Sequence, residues 1–106
     1  MNSLINLKYL RNLYLPSIEQ VLNTEASKRV LYLRFYNPIS KGEWLVCGAD
    51  LFEKDARFYG IVVLNNQLEQ YFLLSELRKL RLPFDMNIEW DRDFKPVSFS
   101  SWIYEN

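Results

Sequence analysis

Apolar residues recur at helical spacing near the start of the chain. Four of them fall three or four positions apart and would share one face of a helix: Leu4, Leu7, Leu10 and Tyr14. Ser3 precedes them and can act as an N-cap, so the pattern predicts an amphipathic helix over residues 3–14. Pro16 interrupts this spacing, and a shorter apolar pattern after it indicates a second short helix or an irregular arm up to about residue 24.

The middle of the chain is rich in β-branched and aromatic residues that alternate with polar ones. This pattern predicts five strands, over residues 29–36, 43–50, 57–64, 68–73 and 86–94. In the first strand, Leu31, Leu33 and Phe35 are expected to share one face. Short polar turns separate the strands, which favours hairpin connections and an antiparallel sheet.

A short helix and a packed tail complete the predicted fold. Ser75 stands where an N-cap belongs, Glu76 follows in the first turn, and Pro83 ends the segment. The aromatic residues of the tail indicate that it packs back onto the domain. We therefore predict an α+β fold with a single antiparallel sheet of about five strands, packed against an N-terminal helical segment and one short helix before the last strand. The helical arm covers about residues 3–24, the sheet region about 29–96 and the tail 97–106.

Length, composition and charge indicate one domain with no strong global field. The 106 residues are too few for two separate cores, and 49% of them are hydrophobic, which is enough for one. Thirteen basic and thirteen acidic residues give a net charge of zero, so charge-driven binding would need a local patch. The chain shows no signal-peptide pattern and no apolar run of membrane-spanning length, so we expect a cytoplasmic protein without a membrane partner.

The residue types also exclude several common chemistries. Because the chain has no histidine, Ser-His-Asp catalysis, Cys-His catalysis and histidine-based zinc sites are excluded. Gly42, Gly48 and Gly60 are scattered and form no phosphate-binding loop. Cys47 lies in an apolar run and is expected to be a small core residue in a reducing compartment. We expect neither a cofactor nor an enzymatic activity.

Three acidic residues near the end of the chain form a candidate metal site. Glu89, Asp91 and Asp93 alternate along the last predicted strand, so their carboxylates would share one face, where a hard cation such as Mg²⁺ can be bound. A metal-dependent enzyme is the function that such a site would support. The competing interpretation is a solvated strand face, which the mutual repulsion of neighbouring carboxylates favours.

A second group combines aromatic and basic residues on the predicted sheet: Tyr32, Arg34, Tyr36, Arg57 and Tyr59. Aromatic rings on an open sheet face can stack unpaired bases while arginines hold phosphates, so the group is a candidate surface for single-stranded nucleic acid. Tyr and Arg are also ordinary residues on the exterior of an antiparallel sheet, where arginine stems lie along the rings.

Five short motifs follow one another along the chain: residues 35–38 (Phe-Tyr-Asn-Pro), 42–45 (Gly-Glu-Trp-Leu), 58–60 (Phe-Tyr-Gly), 70–77 (Gln-Tyr-Phe-Leu-Leu-Ser-Glu-Leu) and 88–96 (Ile-Glu-Trp-Asp-Arg-Asp-Phe-Lys-Pro). In order and spacing, from about residue 15 to 102, the chain resembles the DUF2958 family, although Trp90 interrupts the closing motif. The resemblance implies a small bacterial protein of the kind carried by plasmids, phages and conjugative elements, with no established activity and no residue roles.

Three functions follow from these observations. The first is a non-enzymatic accessory protein that binds a protein partner through an exposed aromatic surface and interferes with or regulates a host system. The second is a single-stranded nucleic-acid-binding protein that uses the aromatic and basic sheet face. The third is a metal-dependent enzyme that uses the three carboxylates.

Overall fold

The computed structural model describes residues 4–105, and it confirms the α+β class. The helices are α1 (Leu7–Asn12), α2 (Ile18–Leu22), α3 (Leu74–Lys79) and α4 (Phe99–Glu105). The strands are β1 (Val30–Leu31), β2 (Leu33–Tyr36), β3 (Glu43–Leu51), β4 (Ala56–Val63), β5 (Gln67–Leu73), β6 (Glu89–Trp90) and β7 (Val97–Ser98). Single 3-10 turns lie at Ala26–Lys28 and Pro83–Asp85.

The N-terminal helices begin where side chains cap them. The Asn6 side chain accepts the Tyr9 N–H at 2.8 Å, so α1 begins later than the predicted residue 3. The predicted cap Ser3 lies outside the described residues. The predicted second helix is α2, and its capping box is formed by Ser17 and Gln20, whose side chains each accept the other residue's backbone N–H.

The main sheet has five antiparallel strands in the order β5-β4-β3-β2-β6, and a separate two-stranded ladder joins β1 to β7. The predicted first strand is therefore split at Tyr32, whose N–H donates to the carbonyl of Val46 at 2.8 Å. The prediction that Leu31 shares a face with Leu33 and Phe35 was wrong, because the break turns Leu31 toward the opposite face of the sheet.

The last predicted strand is much shorter than residues 86–94. It ends at Trp90 because Asp91 starts a tight turn: its side chain accepts the Asp93 N–H at 3.1 Å and its carbonyl accepts the Phe94 N–H at 3.2 Å. Asp91 and Asp93 are thus turn residues, and the expected alternation of three carboxylates along one strand was wrong.

Both faces of the sheet are covered, each by its own hydrophobic core. The first core takes α1 and α3 onto one face, and its buried members include Ile5, Leu10, Leu33, Phe35, Trp44, Val46, Phe58, Val62, Phe72, Leu74, Leu77 and Ile88. The second core takes α2 and α4 onto the other face, with Ile18, Val21, Leu31, Leu45, Cys47, Tyr59, Ile61, Phe99 and Trp102. The two central strands contribute alternate residues to both cores, as period-2 side chains must.

The C-terminal tail packs on the domain, as the sequence predicts. It does so as a short strand followed by α4, which buries Phe99 and Trp102 in the second core. The Phe99 N–H donates to the carbonyl of Arg29 at 2.9 Å and fastens the start of α4 beside β1.

The N-terminus of α3 is capped by an aspartate that is distant in sequence. Asp55 accepts the Ser75 N–H at 3.0 Å and the Ser75 hydroxyl at 2.6 Å, so Ser75 lies inside the first turn and is not the N-cap. Burial alone would raise the pKa of Asp55, but the hydrogen bonds from Ser75 and Ala56 outweigh burial and hold it below its ordinary value. The charged carboxylate is therefore the form that the fold stabilises.

We expect Asp55→Ala to lower the free energy of unfolding by about 1–2 kcal/mol at neutral pH, because α3 loses its cap. The folded pKa lies below the unfolded one, so this contribution is present above the unfolded pKa and is lost as pH falls through the folded pKa. Urea denaturation of both proteins at pH 7 and near pH 2–3 measures the difference. The control is Glu53→Ala, at an exposed acidic residue nearby. If Asp55→Ala lowered the free energy of unfolding equally at low pH, the capping role of the charged Asp55 carboxylate would be contradicted.

Candidate binding site

Two neighbouring concavities lie beside β1 and β2 and share a wall made of Tyr14 and Tyr32. The two rings meet edge to face, with their centroids 6.5 Å apart and their planes at 78°. The first concavity, of about 450 Å³, lies between α2 and β1. The second, of about 220 Å³, lies between the end of α1 and the segment that contains β6.

The second concavity is lined by a further aromatic pair. The Tyr9 ring packs against the Trp90 ring with centroids 5.1 Å apart, and the Arg92 guanidinium lies 5.0 Å from the Trp90 centroid. Such a cation–aromatic contact is worth about 0.5–1 kcal/mol at an exposed site and holds both groups in place. We define the aromatic cleft as both concavities with the four rings of Tyr9, Tyr14, Tyr32 and Trp90.

The rings of the aromatic cleft differ in exposure. Tyr14 is 77% exposed, although its neighbours Leu13 and Leu15 pack on the first core. Tyr9 is also exposed, whereas Tyr32 and Trp90 are half-buried. Burial, followed by the proximity of Tyr14 and Cys47, raises the pKa of Tyr32, so its hydroxyl stays protonated at neutral pH. Tyr32 therefore offers the cleft a neutral ring whose hydroxyl can donate or accept a hydrogen bond.

Arg29 and Cys47, which line the first concavity, have structural roles. The Arg29 Nε donates to the carbonyls of Val21 and Thr24, both at 3.1 Å, which ties α2 to β1. The Cys47 thiol is buried in the second core, and this burial raises its pKa to about 12. The thiol stays protonated at neutral pH, which is the unreactive form of cysteine.

Residues 7–105 match the model of a family described as "Protein of unknown function (DUF2958)". The chain belongs to the DUF2958 family. A search of curated proteins and a search of solved structures each returned no match. The matched residues include all four rings of the aromatic cleft, so the cleft lies within the DUF2958 region. None of the helices in the described part of the chain has the length and apolar character that a membrane crossing requires.

In this DUF2958 protein, the candidate nucleic-acid residues Arg34 and Tyr36 lie within an acidic network. The Arg34 guanidinium lies between two carboxylates, 2.6 Å from Glu43 Oε1 and 3.0 Å from Asp91 Oδ2. It also stacks 4.7 Å from the Tyr36 ring centroid, and the Tyr36 hydroxyl donates to Glu89 Oε1 at 2.8 Å. Two carboxylates on one guanidinium leave no net positive charge for a phosphate.

The other candidate nucleic-acid residues lie elsewhere on the sheet. Arg57 pairs with Asp50 at 3.2 Å, and Tyr59 is buried in the second core with its hydroxyl donating to Glu69 at 2.7 Å. Burial, aided by that hydrogen bond, raises the pKa of Tyr59 to about 12. Tyr32 lines the aromatic cleft, so the structure does not place the five residues on one open stacking surface.

The three candidate metal ligands are likewise engaged with protein groups. Glu89 accepts the Tyr36 hydroxyl, and Asp91 binds Arg34 through one oxygen and the Asp93 N–H through the other. Within residues 4–105, no group of three or more acidic or cysteine side chains is arranged so that it could hold a metal ion.

Sequence reasoning missed three of the cleft's rings, those of Tyr9, Tyr14 and Trp90. Helical spacing placed Tyr14 on the apolar face of the predicted first helix, but α1 ends at Asn12 and Tyr14 lies in the extended segment before Pro16. That nearby proline was the available signal, because the segment before a proline tends to leave the helix.

Proposed function

We propose that the protein is a non-enzymatic accessory protein that binds another protein through the aromatic cleft. The proposal rests on the exposure of Tyr14. Its ring is 77% exposed at the wall between the two concavities, where its edge contacts Tyr32. A large aromatic ring that is exposed to solvent beside a concave surface is typical of an interaction site.

The residue types of the aromatic cleft favour a protein as its partner. Tyr, Trp and Arg are the side chains that most often dominate binding energy in protein interfaces, and the cleft combines all three. Tyr and Trp lose little conformational entropy on binding, because each has only two side-chain dihedral angles. Here the Tyr9–Trp90 and Tyr14–Tyr32 contacts further restrict the rings.

The charges around the aromatic cleft disfavour a nucleic acid there. Nucleic-acid binding depends on cationic side chains that neutralise phosphates. Arg29 is bound to two carbonyls and to Glu69 at 3.4 Å, and Lys28 pairs with Glu25 at 3.9 Å. Arg92 lies over the Trp90 ring, so the described residues of the cleft offer few cations for phosphates, which supports the protein partner over the nucleic acid.

The resemblance to DUF2958 proteins supplies the biological setting of the proposal. In a bacterial cell that carries a mobile element, the aromatic cleft would bind a host or element-encoded protein in the cytoplasm. Binding of that partner would regulate or block it, without any chemical step by this chain.

Site-directed photo-crosslinking tests the proposal. We expect a Tyr14→p-benzoylphenylalanine variant, irradiated in lysate of a bacterial host, to form an adduct that resists nuclease and is destroyed by protease. An excess of unlabelled wild-type protein should suppress the adduct, whereas an excess of the Tyr14→Ala protein should not, because that protein lacks the central ring of the aromatic cleft.

The matched control places the same probe at Phe84. This residue is 88% exposed and lines neither concavity, so the two positions share high exposure and aromatic character. Equal adduct yields from both positions would show nonspecific crosslinking by an exposed probe and would contradict the proposal. An adduct that only nuclease removes would assign the cleft to nucleic acid.

A further inference from the structure

The strand β5 forms one edge of the five-stranded sheet and is open on its outer side. It runs over Gln67–Leu73 and pairs with β4 through seven consecutive residues without a register shift. Within residues 4–105 no strand pairs with its other side. The first five residues of β5 are exposed, so their outward backbone groups face water.

This edge lacks the features that usually prevent strands from pairing between molecules. Such features are proline, charged side chains (above all lysine), a bulge or a very short strand. Residues 67–73 contain no proline and no basic residue, and their pairing with β4 is regular. The one charge is Glu69, whose carboxylate accepts the Tyr59 hydroxyl at 2.7 Å and pairs with Arg29 of the same molecule at 3.4 Å. The opposite edge strand, β6, is only two residues long.

We propose that two copies of this chain associate through β5, with the strands antiparallel about a two-fold axis at Gln70. The two five-stranded sheets would then continue into one sheet across the interface. This proposal is independent of the aromatic cleft, because none of the cleft's rings lies on β5.

The sequence of β5 is self-complementary in this register. The axis at Gln70 places Gln70 opposite its own copy, Leu68 opposite Phe72, and Glu69 opposite Tyr71, each pair sharing one face of the sheet. An apolar residue thus meets an apolar one, and an amide meets an amide. An axis at Glu69 would place two carboxylates directly opposite each other, which is destabilising.

Packing across the sheet supports the same register. A row of rings in the first core runs from Phe35 through Phe58 to Phe72, with centroid separations of 5.7 and 5.4 Å, and it ends at β5. Leu68 on the same strand is 57% exposed. In the proposed dimer, Leu68 of each copy would pack at the end of the phenylalanine row of the other copy, and its side chain would become buried.

Sedimentation equilibrium tests the association. We expect the wild-type mass to rise toward that of a dimer with concentration, and Leu68→Lys to weaken the dimer by about tenfold or more, since both copies lose an apolar pair. Leu22→Lys, which changes an exposed leucine on α2, should leave the mass unchanged. Wild-type protein that stays monomeric at all accessible concentrations would overturn the proposal.

Disulfide crosslinking tests the register. Under oxidation we expect Gln70→Cys to form a symmetric dimer, because position 70 faces its own copy at a distance that suits a disulfide. Glu69→Cys alone should remain uncrosslinked, but a mixture of Glu69→Cys and Tyr71→Cys proteins should crosslink. A dimer in which Glu69→Cys crosslinks alone and Gln70→Cys does not would overturn the register.

Discussion

Replacing Gly60 with alanine is expected to lower the free energy of unfolding by about 3 kcal/mol or more, a large fraction of the roughly 5–15 kcal/mol that is typical of a whole domain. Gly60 lies on β4 opposite Val46 of β3, next to a register shift between Val46 and Gly48. A methyl group at Gly60 would overlap with the carbonyl oxygen of Leu45. Because that oxygen belongs to the backbone, the overlap is relieved only by separating the two central strands.

Urea denaturation followed by circular dichroism measures this effect, with Gly42→Ala as the comparison. Gly42 has a φ of +144°, so alanine there is strained, but its methyl group would meet neighbours only at ordinary contact distances of 3.4 Å and more. We expect a smaller loss of about 1–2 kcal/mol. If Gly60→Ala proved no more harmful than Gly42→Ala, the close approach of β3 and β4 would be contradicted.

Phe58→Ala is expected to cost about 3–5 kcal/mol, the usual result of removing a fully buried aromatic ring from a core. The Phe58 ring is fully buried and contacts Phe35 and Phe72 on either side, so its loss opens a cavity in the middle of the first core. The midpoint of urea denaturation should fall accordingly.

Phe84→Ala provides the matched control for this truncation. The same side chain is truncated at a position where the ring is 88% exposed, so we expect the free energy of unfolding to change by no more than about 0.5 kcal/mol. Similar losses at both positions would mean that the row of phenylalanines does not support the core.

The sequence predicts the β3–β4–β5 meander well, because β-branched and aromatic residues recur in its strands and short turns separate them. The predicted bounds 43–50, 57–64 and 68–73 differ from those of β3, β4 and β5 by one residue at most. The two outer strands were less predictable. Whether Tyr32 continues β2 depends on its hydrogen bond to Val46, and the end of β6 depends on the Asp91 turn. Both are contacts that period-2 alternation does not record.

The candidate site was less predictable than the fold for a related reason. Residue type and alternation singled out Arg34 and Tyr36, but their roles depend on Glu43, Asp91 and Glu89, which come from other strands and turns. The aromatic cleft combines rings from the chain's first helix and from β6, which are distant in sequence. Such a surface arises only from tertiary packing.

The ladder of β1 with β7 joins two segments that are far apart in the sequence. It joins Val30 to Ser98 and thereby closes a loop that contains the whole five-stranded sheet. Closing a long loop costs more chain entropy than closing a hairpin, so we expect the β3–β4–β5 meander to form early and this ladder to form late. The ladder itself has only two residue pairs, extended by the Phe99–Arg29 hydrogen bond, so we expect local opening of the native state to occur here before the central strands open. Because α4 follows β7 directly and buries Phe99 and Trp102 in the second core, we expect opening of the ladder to loosen this core more than the first one.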